Sequence, residues 1–330
     1  DDFEAPAGAV LLDGGGDGLT WSDPLNWAGD QLPGDYVSVG LQGNSPNAVV
    51  YDTTAGTTNL NALASCLPLT ITGGSLAVNS QSSVTEKLTI SGSGTFVVNA
   101  TSGFRYVEQT GGNLRGTGFV FVENLYTWTG GDMWDSGTTI IEGGMDISTN
   151  IHRLRLGRTL TLNGPTTWTG GLIDLYDSPT INNNDVFDIK TDDDMRRISG
   201  TGNFNNANGA TLKKTAGAAE TVISANWLNN GDIMVDTGTM SMGLANVGNT
   251  STGNFAVATG STFGILGNHA LSGNFTGGGG LLMPAGTGTT TLTGSYGLTG
   301  PLTIQGGVLI FNTALAQQLS LIHISEPTRQ

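Results

Sequence analysis

The residues best able to do chemistry crowd into one short stretch. Asp185, Asp188, Lys190, Asp192, Asp193, Asp194, Arg196 and Arg197 form the densest charge cluster of the chain. Clustered carboxylates supply hard oxygen ligands for Ca²⁺, or an acid and a base for glycosidic bond cleavage, with Arg or Lys steadying an anionic sugar. Within the cluster, Asp188, Asp192, Asp193, Asp194 and Arg196 are the catalytic candidates. A solvated loop between repeats is the cheaper account of the same residues.

Aromatic side chains raise a second chemistry, binding. Trp128, Trp134 and Trp168 would make a sugar-stacking platform if they stood outward on adjacent repeats, but a Trp between Thr and Thr-Gly-Gly equally suits an inward corner filler. Arg153, Arg155 and Arg158 alternate along a strand-like run and read as a solvent-facing basic stripe paired with nearby Asp. Asp13 and Asp17, set among Gly14, Gly15, Gly16 and Gly18, resemble one fragment of a calcium-binding Gly-Asp repeat without tandem partners. A structural Ca²⁺ there is the one cofactor the sequence suggests, and otherwise none is expected. Cys66 lies among Leu63, Leu67 and Leu69, as a small buried thiol does, and as the single cysteine it forms no intramolecular disulfide. The glycine-rich text is no phosphate loop, because no helix follows it.

The elements that would position these groups are β. The 330 residues contain 52 Gly, and only 12% are charged, which excludes a coiled coil; the glycines lack the period of collagen. Hydrophobic residues, at 37%, recur in short β-rich runs, enough for a core. Twelve Lys and Arg against 27 Asp and Glu give a net charge of −15, which repels nucleic acid and anionic membranes. No apolar run is long enough for a membrane helix. Period-two alternation in Leu76-Val78, Leu88-Ile90, Leu160-Leu162, Ile233-Val235 and Leu302-Ile304 puts the larger apolar side chains on one face.

Repeats organise these strands. Thr127-Trp128-Thr129-Gly130-Gly131 returns as Thr167-Trp168-Thr169-Gly170-Gly171, a displacement that fits two turns of about 20 residues each. An aromatic follows Asn at Asn203-Phe204, Asn226-Trp227, Asn254-Phe255 and Asn274-Phe275, and a double glycine opens strands at Gly73, Gly111 and Gly306. Repeats of this size with Gly or Asn corners predict an all-β right-handed parallel β-helix (β-solenoid) over 59–318, with a two-layer β-sandwich array as the structural alternative. Residues 1–58, with Trp21, Pro24, Trp27 and Pro33, lack the repeat and are predicted to cap its open first coil.

Gly-Leu-Thr-Trp-Ser-Asp-Pro-Leu-Asn-Trp (18–27), Leu-Pro-Gly-Asp-Tyr-Val-Ser-Val (32–39) and the runs 199–215 and 227–235 resemble bacterial surface or secreted β-helix proteins with autotransporter-type β-strand repeats, a group that includes adhesin-like exported proteins. The resemblance implies an extracellular or cell-surface β-helix belonging to a longer protein, although neither a membrane β-barrel translocator nor a two-partner secretion motif is seen. Residues 319–330 break the composition, and Leu321-Ile322-His323-Ile324-Ser325-Glu326-Pro327-Thr328-Arg329 resembles translated sequencing-adapter read-through, so a non-native tail is expected there. The functional expectation is a non-enzymatic structural or adhesive segment whose partner is a polysaccharide or a neighbouring cell surface. The alternatives are a β-helix polysaccharide lyase or glycoside hydrolase, and a carbohydrate-binding module. The Gly-His-Gly and Arg-Ile-Lys motifs of polygalacturonase-like hydrolases are missing.

Overall fold

Alternation of one buried and one outward side chain runs through strands of mostly three or four residues, and the chain turns a corner after each. The computed structural model describes residues 4–43, 47–243, 250–286 and 288–312. Among them the strands stack as a parallel β-solenoid of about 13 turns. Three columns of strands form its faces. The first runs from Val49–Tyr51 to Tyr296–Leu298 and the second from Thr57–Leu60 to Leu302–Ile304. The third runs from Val10–Leu11 to Asn226–Asn229, with Thr250–Ser251 to Val308–Phe311 beyond.

In-register stacking places like on like. Val49, Leu69, Leu88, Val107, Tyr126 and Met145 succeed one another up the first column, all buried. Removing such side chains from water, at roughly 25 cal/mol per Å² of apolar area, is the main stabilising term for a rod whose coils touch chiefly their neighbours. Coil length varies with the corners: side chains bonded across adjacent coils are 18 residues apart at Asn113 and Thr95 and 23 apart at Asn205 and Asn182. The two Thr-Trp-Thr-Gly-Gly copies are two coils apart, since Ile147 pairs with both Trp128 below and Trp168 above.

Three sequence expectations need adjustment. The Asn-aromatic landmark is not one ladder, because Phe204 stacks under Trp227 in the third column whereas Phe255 stacks under Phe275 in the first. Ile304, expected inward, is 47% exposed on the last described coil of its column, where no described strand lies above it. Parallel pairing also begins before residue 59, as Val39–Leu41 pairs with Leu63–Ser65 and Val49–Tyr51 with Leu69–Ile71.

The N-terminal segment folds beneath these first strands. Val10–Leu11 adds to Val39–Gly40, and Thr20 bridges Val50, so residues 10–21 trace an irregular partial coil. Asp23 caps the short 3₁₀ turn Pro24–Asn26 by accepting from the Leu25 N–H, and the turn reverses the chain so that both indoles face the core. Trp21 and Trp27 are buried edge to face with centroids 4.7 Å apart, and Trp21 meets the Tyr51 ring at 5.3 Å. The expected non-native tail, 319–330, lies outside the described residues.

Candidate functional site

The tryptophan motif is explained by the corner that follows it. Trp128 and Trp168 occupy inward positions of their strands, are fully buried, and donate Nε1–H to the carbonyls of Gly131 and Gly171 at 3.2 and 2.8 Å. Each of those glycines has positive φ, and a Cβ on it would land on a carbonyl oxygen of the coil below, Gly111 O for Gly131 and Asn150 O for Gly171. The motif therefore fills the core and satisfies its own indole, and Trp128 and Trp168 are not displayed on an outer platform. Trp134 lies elsewhere, half-buried on the second face.

That second face carries an ordered array of charge. Asp132, Arg153, Asp174 and Arg196 follow one another in register, one per coil. Arg196 grips Asp174 through two hydrogen bonds of 2.7 and 2.9 Å, and Arg153 and Arg155 both reach Asp132. Beside this row Arg115 and Arg155 lie over the Trp134 ring at 5.4 and 4.5 Å, and Arg155 also lies over Tyr176 at 4.3 Å. The two guanidinium groups compete with any sugar for the Trp134 ring. Arg158 departs from the expected surface stripe. The strand ends at Leu154, Leu156 and Gly157 turn with positive φ, and Arg158 is delivered into the core. There it donates to Gly116 O, Trp134 O and Thr139 Oγ1, and burial lowers its pKa to about 10.

The acidic cluster is dispersed by the fold. Asp188 is outward on the first face, accepting from Thr215 Oγ1 at 2.6 Å and pairing with Lys190 and Lys213 at 3.5 and 3.6 Å. Asp192 binds the buried Lys214 Nζ at 2.8 Å, Asp193 accepts from Gly171 N and Thr191 Oγ1, and Asp194 accepts from Val222 N. Lys214, bonded also to Thr191 O and Thr221 Oγ1, holds the Asp192 carboxyl below the usual carboxylate range. The carboxylates thus serve different partners across neighbouring coils, and the described residues contain no group of three or more His, Cys, Asp or Glu able to hold a metal.

Asp13 and Asp17 line a cavity of about 260 Å³ with Leu12, Gly18, Gln42 and Leu67. Asp17 accepts from the Thr20 hydroxyl through Oδ2 and from the Thr20 and Leu19 N–H groups and the Asn26 amide through Oδ1, which together depress its pKa. Asp13 Oδ1 accepts from Gly15 N at 3.2 Å. Asn26, fully buried, completes the loop by accepting from Gly18 N at 2.7 Å.

Sequence reasoning missed three polar groups inside the core. Asn183, Asn206 and Asn229 form an inward amide ladder, with bonds of 2.8 and 2.7 Å. Lys214 is fully buried, and His152 and His269 are buried against Trp128 and Trp227 at 4.7 and 4.8 Å. A signal for the ladder exists: the strands Thr180–Asn183, Asn203–Asn206 and Asn226–Asn229 all end on Asn at an inward position. Comparison with protein-family models, curated proteins and solved structures returns no match.

Proposed function

We propose that this chain is a non-enzymatic, rigid structural or adhesive segment of a larger bacterial exported protein, displayed outside the cell. One observation carries the reading: Asp188, Asp192, Asp193, Asp194 and Arg196 are each engaged by hydrogen bonds or ion pairs to residues of adjacent coils. Carboxylates held this way act as inter-coil staples, and an acid/base pair needs instead two groups converging on a common bond. Stacked coils, each contacting chiefly its neighbours, make a stiff spacer whose length grows with coil number. About 13 turns at one strand spacing, about 4.8 Å, extend to roughly 60 Å.

Incubation with neutral and anionic polysaccharides, scoring release of reducing ends separately from retention, tests the reading. No cleavage is expected from any of them. Cleavage abolished by Asp188→Asn or Asp193→Asn would overturn it in favour of a glycan-processing β-helix.

A further inference from the structure

The third face differs from the other two. From Phe119–Val122 to Asn226–Asn229, six strands in unbroken register present two outward positions each. All twelve are Thr, Asn, Phe, Ile or Leu, and none is charged. Over the same coils the first face shows Asp146, Asp188 and Lys213, and the second shows Asp132, Arg153 and Arg196. In a chain of net charge −15, this is a neutral strip about 24 Å long, five strand spacings.

Its amides are lined up as well as uncharged. Asn205 Nδ2 donates to Asn182 Oδ1 at 2.9 Å, and Asn226 Nδ2 donates to Asn203 Oδ1 at 3.4 Å. A primary amide has two N–H donors and two acceptor lone pairs, so each Asn keeps one N–H and spare acceptor capacity after joining its ladder. These free groups repeat at one strand spacing along the rod axis. At one end of both rows Phe119 and Phe121 stack with centroids 6.3 Å apart, and Phe119 is 49% exposed.

From this juxtaposition we infer that the third face is a binding surface for an extended, uncharged polysaccharide lying along the rod axis. Sugar hydroxyls both donate and accept, as the free amide and hydroxyl groups of the strip do. The apolar face of a pyranose ring stacks on an exposed aromatic ring. A polyanion meets no cation among the twelve positions and is repelled by the chain as a whole. The inference rests on the adhesive part of the proposed function and assigns it to a face.

Affinity electrophoresis in gels containing hydroxyethyl cellulose, with polygalacturonate gels as the anionic comparison, is the test. The intact chain should be retarded by the neutral polymer and not by the anionic one. Phe119→Ala, and separately Asn182→Asp with Asn205→Asp, should weaken retardation by about tenfold, the loss expected from one aromatic contact of about 1.4 kcal/mol. Thr89→Asp, outward on the first face, should leave it unchanged. Circular dichroism and thermal midpoints show whether the Asp pair folds, and Phe119→Ala carries the test if it does not. Absence of retardation, its survival in both third-face variants, stronger retardation by polygalacturonate, or a concentration-dependent dimer disrupted by the Asp pair would each overturn the inference. Absence of retardation without cleavage leaves the structural rod standing, whereas cleavage refutes the non-enzymatic reading independently of the face.

Discussion

Trp128 and His152, both fully buried in neighbouring columns, meet in the core with ring centroids 4.7 Å apart and planes tilted by 56°. Neither ring nitrogen of His152 makes a well-formed hydrogen bond, and burial, opposed weakly by the Ser148 backbone, lowers its pKa from 6.5 to about 4. His269 repeats the arrangement on Trp227, with its Nε2 2.7 Å from Leu266 O and its pKa again lowered to about 4.

These histidines make the rod acid-sensitive in a defined window. In the unfolded chain they take up protons near pH 6.5, whereas in the folded chain they stay neutral until about pH 4. Their contribution is therefore complete above 6.5 and is lost as pH falls towards 4, by about 3 kcal/mol for each histidine. Urea midpoints across that range should fall for the natural chain and stay nearly level for His152→Leu with His269→Leu. Equal slopes would show that other groups set the acid limb.

The N-terminal tryptophans should guard the end of the core. Replacing Trp21 and Trp27 by Ala removes the edge-to-face pair and the contact with Tyr51, at about 3–5 kcal/mol for each site. Light scattering should then show self-association through the uncovered first coil. A monomeric double mutant of unchanged melting temperature would remove the capping role.

Glycines of positive φ should divide by what lies beside them. Gly171→Ala drives a methyl into Asn150 O, and a loss of at least about 2 kcal/mol is expected. Gly157 has φ of +75° but open space around it, so Gly157→Ala costs the backbone strain alone, roughly 1 kcal/mol. Equal melting-temperature shifts for the two would refute the steric account.

Asn206 sits in the middle of the buried amide ladder. Asn206→Ala leaves the Asn229 carbonyl without its donor, while Asn183 Nδ2 keeps Asp185 O and Thr211 O, and should cost about 1–3 kcal/mol in chemical denaturation. Outward Asn205→Ala, half-exposed to water, should cost less than 1 kcal/mol. Reversal of that order would mean that the ladder is not the stabilising row.

By itself the sequence determined the repeating β coil and most of its inward apolar residues, but not the polar ones. Period-two alternation decides which apolar side chains are buried, so Leu76, Leu88, Leu160 and Ile233 were legible as core, and Gly supplies positive φ at many corners, whereas the described corner residues other than Gly with positive φ are Asp, Tyr, Thr, Leu and Ser instead of the expected Asn. The Thr-Trp-Thr-Gly-Gly spacing contained the two-coil step because residues in register recur once per turn. Corner lengths vary without a local signature, however, so stacking alone decided that Phe204 and Phe255 belong to different faces. Partnership across coils is likewise non-local. Asp192 finds Lys214, Asp174 finds Arg196, and Arg158 passes the turn at Leu156 into the core, all over some 20 or more residues. Contiguous charges in the sequence thus became separate inter-coil ties, and scattered Thr and Asn became one neutral face, because a solenoid sets neighbours by register instead of by chain distance.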